Sequence, residues 1–124
     1  MIYNIFLGGQ KIGISFLEKA DAPMGVVFGK IISDDNLLSY NFLSKYCKEN
    51  SIDVTEYPEE KLIMTRTIPL LKVINNKGIE IKGMSSNIEG MDSEGFEVNI
   101  EHIPYPFFEE EFPLHVKAYK EQFE

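Results

Sequence analysis

The amino-acid sequence predicts an α+β fold, in which a mainly antiparallel sheet of about six or seven strands is combined with two helices, at about residues 36–49 and 113–123. Two observations lead to this prediction. Short apolar segments recur along the chain and are separated by turns rich in glycine, asparagine and proline, which is typical of antiparallel strands. The helical patterns do not alternate with these strands, which argues against a doubly wound parallel sheet. The 124 residues are expected to form a single domain, 1–124.

The first two strands are predicted at residues 2–7 and 11–17, which are apolar or alternate between apolar and polar residues. Residues 8–10 contain two glycines and predict the hairpin turn between them, because glycine adopts positive φ at no steric cost. The segment 8–13 has glycines spaced somewhat like a phosphate-binding loop, but it lacks the Gly-Lys-Ser/Thr ending and leads into a strand, so we favour the hairpin. The second strand is expected to carry three apolar side chains on one face: Ile12, Ile14 and Phe16.

Two further apolar segments, residues 25–32 and 62–68, predict strands that follow a loop at 20–23 and a turn at 57–61. Gly29 marks a bulge in the first segment, or a place where another part of the backbone comes close. The second segment ends at a proline, a residue confined to strand ends and sheet edges.

The strongest hairpin pattern joins residues 71–74 to 79–82 through a turn at 75–78 that contains two asparagines and a glycine. Residues 85–95 are polar, contain two glycines, and are predicted to form a loop. Residues 96–101 then alternate between apolar and polar residues, which predicts a half-buried strand.

Both predicted helices have an apolar face with helical spacing. Asp34 or Asp35 is expected to cap the first helix, 36–49, and Asn50 is expected to end it in a left-handed conformation. The second helix, 113–123, has a proline in its first turn, where proline is tolerated. The apolar face of the first helix contains Leu38, Tyr40, Phe42, Leu43, Tyr46 and Cys47. The narrower stripe of the second contains Phe112, Val116, Tyr119 and Phe123.

The net charge of −8 is distributed very unevenly along the chain. Residues 1–87 contain ten acidic side chains and ten lysines or arginines, whereas residues 88–124 contain ten acidic side chains and only two lysines, Lys117 and Lys120. An acidic surface repels phosphate, so we expect no binding to nucleic acid or to anionic membranes. A basic partner is expected to bind the C-terminal third, residues 88–124.

The cysteine content and the N-terminal segment predict a cytoplasmic protein. A single cysteine, Cys47, excludes an intramolecular disulfide and a structural zinc site built on several cysteines. The first apolar segment has no preceding basic region and is too short for a secretory signal. Lysine outnumbers arginine eleven to one, which hints at a bacterial genome rich in A and T.

Few residues point to catalysis or to metal binding. Cys47 is a conceivable nucleophile, but its position on the apolar helix face favours a core residue. His102 continues the apolar phase of its strand and His115 flanks the stripe of the last helix, and their spacing matches no metal-binding motif. We expect no metal and no cofactor. Oxygen ligands that calcium prefers also occur, without the order of an EF-hand loop: Asn87, Glu89, Asp92 and Glu94.

The most suggestive segment combines aromatic residues, prolines and negative charge. Prolines at 104 and 106 argue against regular helix or central strand over residues 104–108. The aromatic side chains either pack the last helix onto the sheet or form a recognition patch, and we expect one of Phe107 and Phe108 to be buried and the other accessible. The candidate partner-binding residues are Tyr105, Phe107, Phe108, Glu109, Glu110 and Glu111.

These observations favour a small acidic, non-catalytic interaction protein that binds a basic protein surface through its C-terminal third. An immunity or antitoxin-like protein that blocks a basic site of a toxin has this size and charge, and this is an analogy and not a motif match. The alternative is a small-molecule-binding domain or small enzyme with a pocket between sheet and helix. A deep pocket with converging polar groups would favour the alternative, and a flat acidic and aromatic surface would favour the interaction protein.

Overall fold

A computed structural model describes residues 1–123 and shows an α+β fold with two antiparallel sheets and three α-helices. The strands are β1 (Tyr3–Leu7), β2 (Gln10–Ser15), β3 (Lys19–Asp21), β4 (Val26–Lys30), β5 (Ile32–Ser33), β6 (Val54–Tyr57), β7 (Leu62–Thr65), β8 (Leu71–Ile74), β9 (Ser85–Met91) and β10 (Gly95–Glu101). The helices are α1 (Tyr40–Glu49), α2 (Phe107–Glu111) and α3 (Pro113–Glu121), with short 3-10 turns at Ala22–Met24, Asp34–Asn36 and Pro58–Glu60. One sheet has the order β5-β2-β1-β8 and the other the order β3-β4-β10-β9-β7-β6.

The predicted fold class is therefore confirmed, but the strands are divided between two sheets. The predicted strand 25–32 is in fact two strands, because β4 belongs to the six-stranded sheet and β5 to the four-stranded sheet. The chain changes sheets at Ile31, whose N–H donates to the carbonyl oxygen of Phe96. Gly29 is a site of close backbone approach as predicted, since a Cβ there would lie 2.9 Å from the Cα atom of Leu17.

The hairpin of β1 and β2 forms as predicted, with Gly8 and Gly9 both at positive φ in the turn. The expectation that Ile12, Ile14 and Phe16 share one face is wrong. The register between the two strands shifts at Ile5/Phe6, so that Ile12 has no partner in β1. A bulge of this kind interrupts the alternation of side chains. Ile12 is consequently fully buried, while Phe16 is half exposed.

The prediction of a loop over residues 85–95 is wrong for most of this segment. Residues Ser85–Met91 form β9, which is paired with β10 on one side and with β7 on the other. Only the segment 92–94 forms the turn between β9 and β10. Glycine and polar residues usually mark loops, but here the ladders on both sides supply the hydrogen bonds that hold the strand.

Short edge strands account for other differences from the sequence prediction. β3 begins one residue before the predicted loop 20–23 and includes its first two residues, and β6 was not predicted at all. Conversely, residues 79–82 are not a strand and contribute only an isolated bridge between Ile74 and Glu80. The Asn75 side chain accepts hydrogen bonds from the N–H groups of Lys77 and Ile79 and organises this turn locally.

The first helix begins later than predicted. Residues Asp34–Asn36 form a 3-10 turn, and Ser39 caps α1 by accepting a hydrogen bond from the Phe42 N–H at 3.1 Å. Asp92 also accepts from the Tyr40 N–H, which places negative charge at the N-terminus of the helix. The left-handed residue after the helix is Ser51 and not Asn50.

One cluster of buried side chains takes residues from both sheets and from all three helices. β10 contributes Phe96, Val98 and Ile100, and α1 contributes Leu43 and Cys47. Within residues 1–123, no helix is long and apolar enough to span a membrane.

Cys47 is a core residue, as the sequence predicted. Burial, together with the negative charge of Glu56, raises the pKa of its thiol to about 11. Thiol reagents are therefore expected to label the native protein slowly and the urea-unfolded protein rapidly, since the thiolate is the reactive form. Cys47→Ser should lower the free energy of unfolding by about 1–3 kcal/mol, because a hydroxyl replaces the buried thiol. Equal labelling rates before and after unfolding would contradict this assignment.

Candidate interaction surface

The aromatic segment continues directly into a short helix. The expectation of no regular helix over 104–108 is wrong for its last two residues, because α2 begins at Phe107. The carbonyl oxygens of Pro104 and Pro106 accept hydrogen bonds from the N–H groups of Phe108 and Glu110. The prolines are compatible with this helix because they precede it, where a missing N–H costs nothing.

Phe107 and Phe108 differ in burial. Phe108 is fully buried, and its ring centroid lies 5.2 Å from that of Tyr105 and 5.3 Å from that of Phe112. Phe107 is half-buried and packs against the edge of the core. The two side chains differ in burial because successive residues of a helix point in different directions, and not because the chain is extended. Phe108 therefore stabilises the fold and is not available to a partner.

Tyr105 fixes the aromatic segment to the N-terminal half of the chain while part of its ring stays exposed. Its hydroxyl donates a hydrogen bond of 2.8 Å to the carbonyl oxygen of Ala22. Partial burial and the neighbouring charge of Glu109 raise the pKa of this hydroxyl, so Tyr105 stays protonated and neutral at physiological pH.

The three consecutive glutamates of α2 have different surroundings. Glu109 and Glu110 are exposed, whereas Glu111 is half-buried. Glu111 accepts hydrogen bonds from the Tyr3 hydroxyl at 2.9 Å and from Asn75 Nδ2 at 3.1 Å. Burial, followed by this hydrogen bond and the charge of Glu111, raises the pKa of Tyr3. Because both donors are neutral, Glu111 ties α2 to β1 and to the end of β8 without losing its negative charge.

None of these three glutamates forms a salt bridge within the described residues. The salt bridges found within residues 1–123 are Lys19–Glu97, at 3.6 Å, and Lys117–Glu121, at 3.9 Å. Glu97 of β10 is thus paired with a lysine, while Glu109 of α2 shares a surface groove with Lys117 and Lys120 without a salt bridge to either.

A groove with a volume of about 380 Å³ lies beside these glutamates, between the end of β2 and the start of α3. We call it the acid-rimmed groove. Its apolar surface includes side chains that are exposed to solvent, and its rim is rich in carboxylates. The residues that define it are Tyr3, Phe16, Leu114, Glu18, Glu110 and Glu111.

The floor of the acid-rimmed groove is held by a strained residue. Leu17 is buried at a φ of +43°, a conformation that is rare for a bulky side chain. Ser15 Oγ accepts a hydrogen bond from the Leu17 N–H at 3.1 Å, and His115 Nε2 lies 2.8 Å from the Leu17 carbonyl oxygen, to which it donates. Contacts on both sides of the Leu17 backbone therefore stabilise the strained conformation.

The two histidines have different roles. His115 is half-buried beside the groove, close to its expected position on the flank of the α3 stripe. The expectation that His102 continues the buried phase of β10 is wrong, because the strand ends at Glu101 and His102 is exposed with a φ of +55°. Among residues 1–123, no three histidine, cysteine, aspartate or glutamate side chains are grouped as metal ligands would be.

Side chains among the oxygen-bearing residues 87–94 take part in hydrogen bonds within the fold. Asn87 donates to Glu101 Oε1 and accepts from Asn99 Nδ2 across the β9–β10 ladder. Asp92, as described above, accepts from the Tyr40 N–H at the start of α1.

Two of the groove's acidic residues, Glu110 and Glu111, were among the residues predicted from the sequence, whereas Glu18 and the apolar residues were not. Leu114 is an apolar residue outside the buried stripe of α3, and this was the signal that could have identified it. Phe123 was assigned to the stripe but is 73% exposed. Phe16 and Glu18 carry no local signal, because only the fold brings them next to α2 and α3.

A comparison of the chain with protein-family models found no match, and comparisons with curated proteins and with solved structures found no significant similarity. The function is therefore inferred from the surface itself.

Proposed function

We propose that this chain is a non-catalytic interaction domain that binds a basic protein partner through its acidic C-terminal third. In the proposal it acts in the bacterial cytoplasm in the manner of an immunity or antitoxin protein. The observation that carries the proposal is that the carboxylates of α2 form no salt bridge within the described residues. Glu109 and Glu110 are exposed, and Glu111 is hydrogen-bonded only to neutral donors.

The distribution of positive charge supports the α2 end over the sheet as the binding region. On the outward face of the six-stranded sheet, Lys30 lies opposite Glu97 in the β4–β10 ladder, and Lys19 forms a salt bridge with the same glutamate. Such a mixed surface selects weakly between basic and acidic partners. A surface of one sign attracts the opposite sign and raises the association rate.

The proposal predicts salt-sensitive binding that depends on α2. The tagged protein would be used to capture partners from a native lysate of the host at low and high salt. We expect capture of a basic protein that weakens markedly at high salt, mostly through the association rate. The double variant Glu109→Lys/Glu110→Lys should lower the affinity by about tenfold or more, because attraction becomes repulsion.

The matched control is Glu59→Lys/Glu60→Lys, which changes the charge equally at another exposed pair, in the Pro58–Glu60 turn. This variant should retain the captured protein. Capture that does not change with salt, or that both double variants reduce equally, would contradict the proposed function.

The second candidate function is the binding of a small molecule. It is favoured by the acid-rimmed groove, because about 380 Å³ falls within the range of roughly 300–1,000 Å³ that is typical of ligand pockets. A stabilising thermal shift with a small-molecule library, lost in Leu114→Asp, would favour this candidate over the interaction domain.

A further inference from the structure

We propose that the acid-rimmed groove receives an apolar side chain of the partner, such as leucine, isoleucine, methionine or phenylalanine, that is flanked by lysine or arginine. This inference rests on the proposed function, because it specifies the part of the basic partner that the acidic surface recognises. The groove differs from the aromatic patch expected from the sequence, because Tyr105, Phe107 and Phe108 do not line it.

The apolar part of the groove is exposed in a way that is uncommon for a folded chain. Leu114 is 78% exposed, and Met1 and Phe16 are each at least half exposed. The outward face of the four-stranded sheet has further apolar residues at least partly exposed to solvent, interrupted by Asn4 and by two lysines opposite Phe6: Ile2, Phe6, Ile14, Ile32 and Ile74. An exposed apolar patch rimmed by polar residues marks an interaction site.

The charges around the groove determine which residues should flank the apolar side chain of the partner. Glu18, Glu110 and Glu111 line it, and no lysine or arginine of the described residues does. Glu18 accepts a hydrogen bond from the Lys30 backbone N–H, a neutral donor. An apolar side chain next to a cation therefore gains both burial and attraction, whereas one next to an anion is repelled.

The size and rigidity of the groove favour an anchor side chain. A volume of about 380 Å³ is small for a secondary-structure element and suits one or two side chains. The buried part of the groove is held before binding, because His115 donates a hydrogen bond to the Leu17 carbonyl oxygen and the rings of Tyr3 and Phe112 lie 5.7 Å apart. A preformed site loses little conformational freedom when it binds.

A larger groove, of about 810 Å³, lies between β3 and α3, but its lining does not specify a partner. Lys19 and Asp21 both line it, so it offers one charge of each sign. A smaller groove, of about 330 Å³, is also acidic, since Glu56, Glu59 and Glu60 line it beside the exposed ring of Tyr57. The acid-rimmed groove differs from it in having three exposed apolar side chains in its lining: Met1, Phe16 and Leu114.

The test uses a random peptide library displayed on phage, selected against the full chain at moderate ionic strength. We expect enriched peptides to contain one large apolar residue next to lysine or arginine. A synthetic peptide of that consensus should bind Leu114→Asp about tenfold or more weakly than the wild type, as for an interface anchor. Glu110→Gln should weaken the same peptide several-fold, because it removes one rim charge.

Two matched controls distinguish a loss of binding at the groove from a general effect of changing the surface charge. Met84→Asp makes the same kind of change at a residue that is 81% exposed and does not line the groove. Glu59→Gln removes a carboxylate at an exposed position that does not line the groove. Both controls should bind the peptide within about twofold of the wild type. Amide chemical-shift mapping on the wild-type protein provides a measurement that depends on no variant, and shifts should centre on Phe16 and Leu114.

The outcomes also distinguish this inference from the proposed function. If basic peptides bind Leu114→Asp with the same affinity as the wild type, the proposal that the groove receives an apolar side chain is overturned. The acidic surface would then remain the binding region. Enriched peptides without basic residues would count against both. The absence of enrichment would overturn the groove alone, since a preformed site for one anchor should select short peptides, whereas a broad acidic surface need not.

Discussion

Phe108→Ala is expected to lower the free energy of unfolding by about 3–5 kcal/mol, the usual cost of removing a buried phenylalanine ring. The Phe108 ring is fully buried and contacts Tyr105 and Phe112, so its loss leaves a cavity where α2 meets the core. This cost is a large part of the roughly 5–15 kcal/mol that stabilises a typical domain. Urea unfolding followed by circular dichroism would measure it.

Phe123→Ala is the matched control, because it removes the same side chain near the C-terminal end of the described chain, where the ring is 73% exposed. Its effect should stay within about 1 kcal/mol, since little buried surface is lost. If Phe108→Ala were as mild as this control, the assignment of Phe108 to the core would be wrong.

Gly90→Ala is expected to destabilise the protein by about 3–5 kcal/mol, combining backbone strain with overpacking. Gly90 lies inside β9 at a φ of +156°, and an added Cβ would overlap the carbonyl oxygen of Gly95 and lie 2.9 Å from Phe96 Cδ1. The backbone oxygen belongs to the paired strand and can move only if the β9–β10 ladder is distorted. Thermal or urea unfolding of the variant would measure the cost.

Gly78→Ala tests whether a positive φ alone explains the loss of stability expected for Gly90→Ala. Gly78 has a φ of +82°, but an added Cβ would meet no other atom within 4 Å. The expected loss is about 1–2 kcal/mol, from the left-handed conformation only. Equal costs at Gly78 and Gly90 would mean that the close contact in β9 is unimportant.

The contrast between these glycines explains why the sequence failed at β9. Glycine in a polar segment usually signals a turn, and this interpretation is correct for Gly8, Gly9 and Gly78. At Gly90 the glycine is required because Phe96 of the neighbouring strand lies directly opposite. The two uses of glycine look alike in the sequence, since they differ only in residues brought close by folding.

The sequence likewise predicted only part of the candidate surface. The composition of residues 105–111 indicated a charged and aromatic site, but the role of Glu111 depends on Tyr3 and Asn75, which are 108 and 36 residues away in the chain. The acid-rimmed groove likewise combines the end of β2 with the start of α3. No periodic pattern reports contacts over such separations.

The sequence by itself determined the α+β class, the strands at β1, β2, β4 and β10, the burial of Cys47 and the acidity of the C-terminal third. These properties follow from local periodicity and from composition, because alternation or helical spacing records which side of a segment is buried. The tertiary structure decided that β9 is an interior strand, that Phe108 is core, and that Glu110 and Glu111 border an apolar groove. Strand pairing, cavity shape and charge compensation depend on which distant residues become neighbours, and that information exists only once the chain has folded.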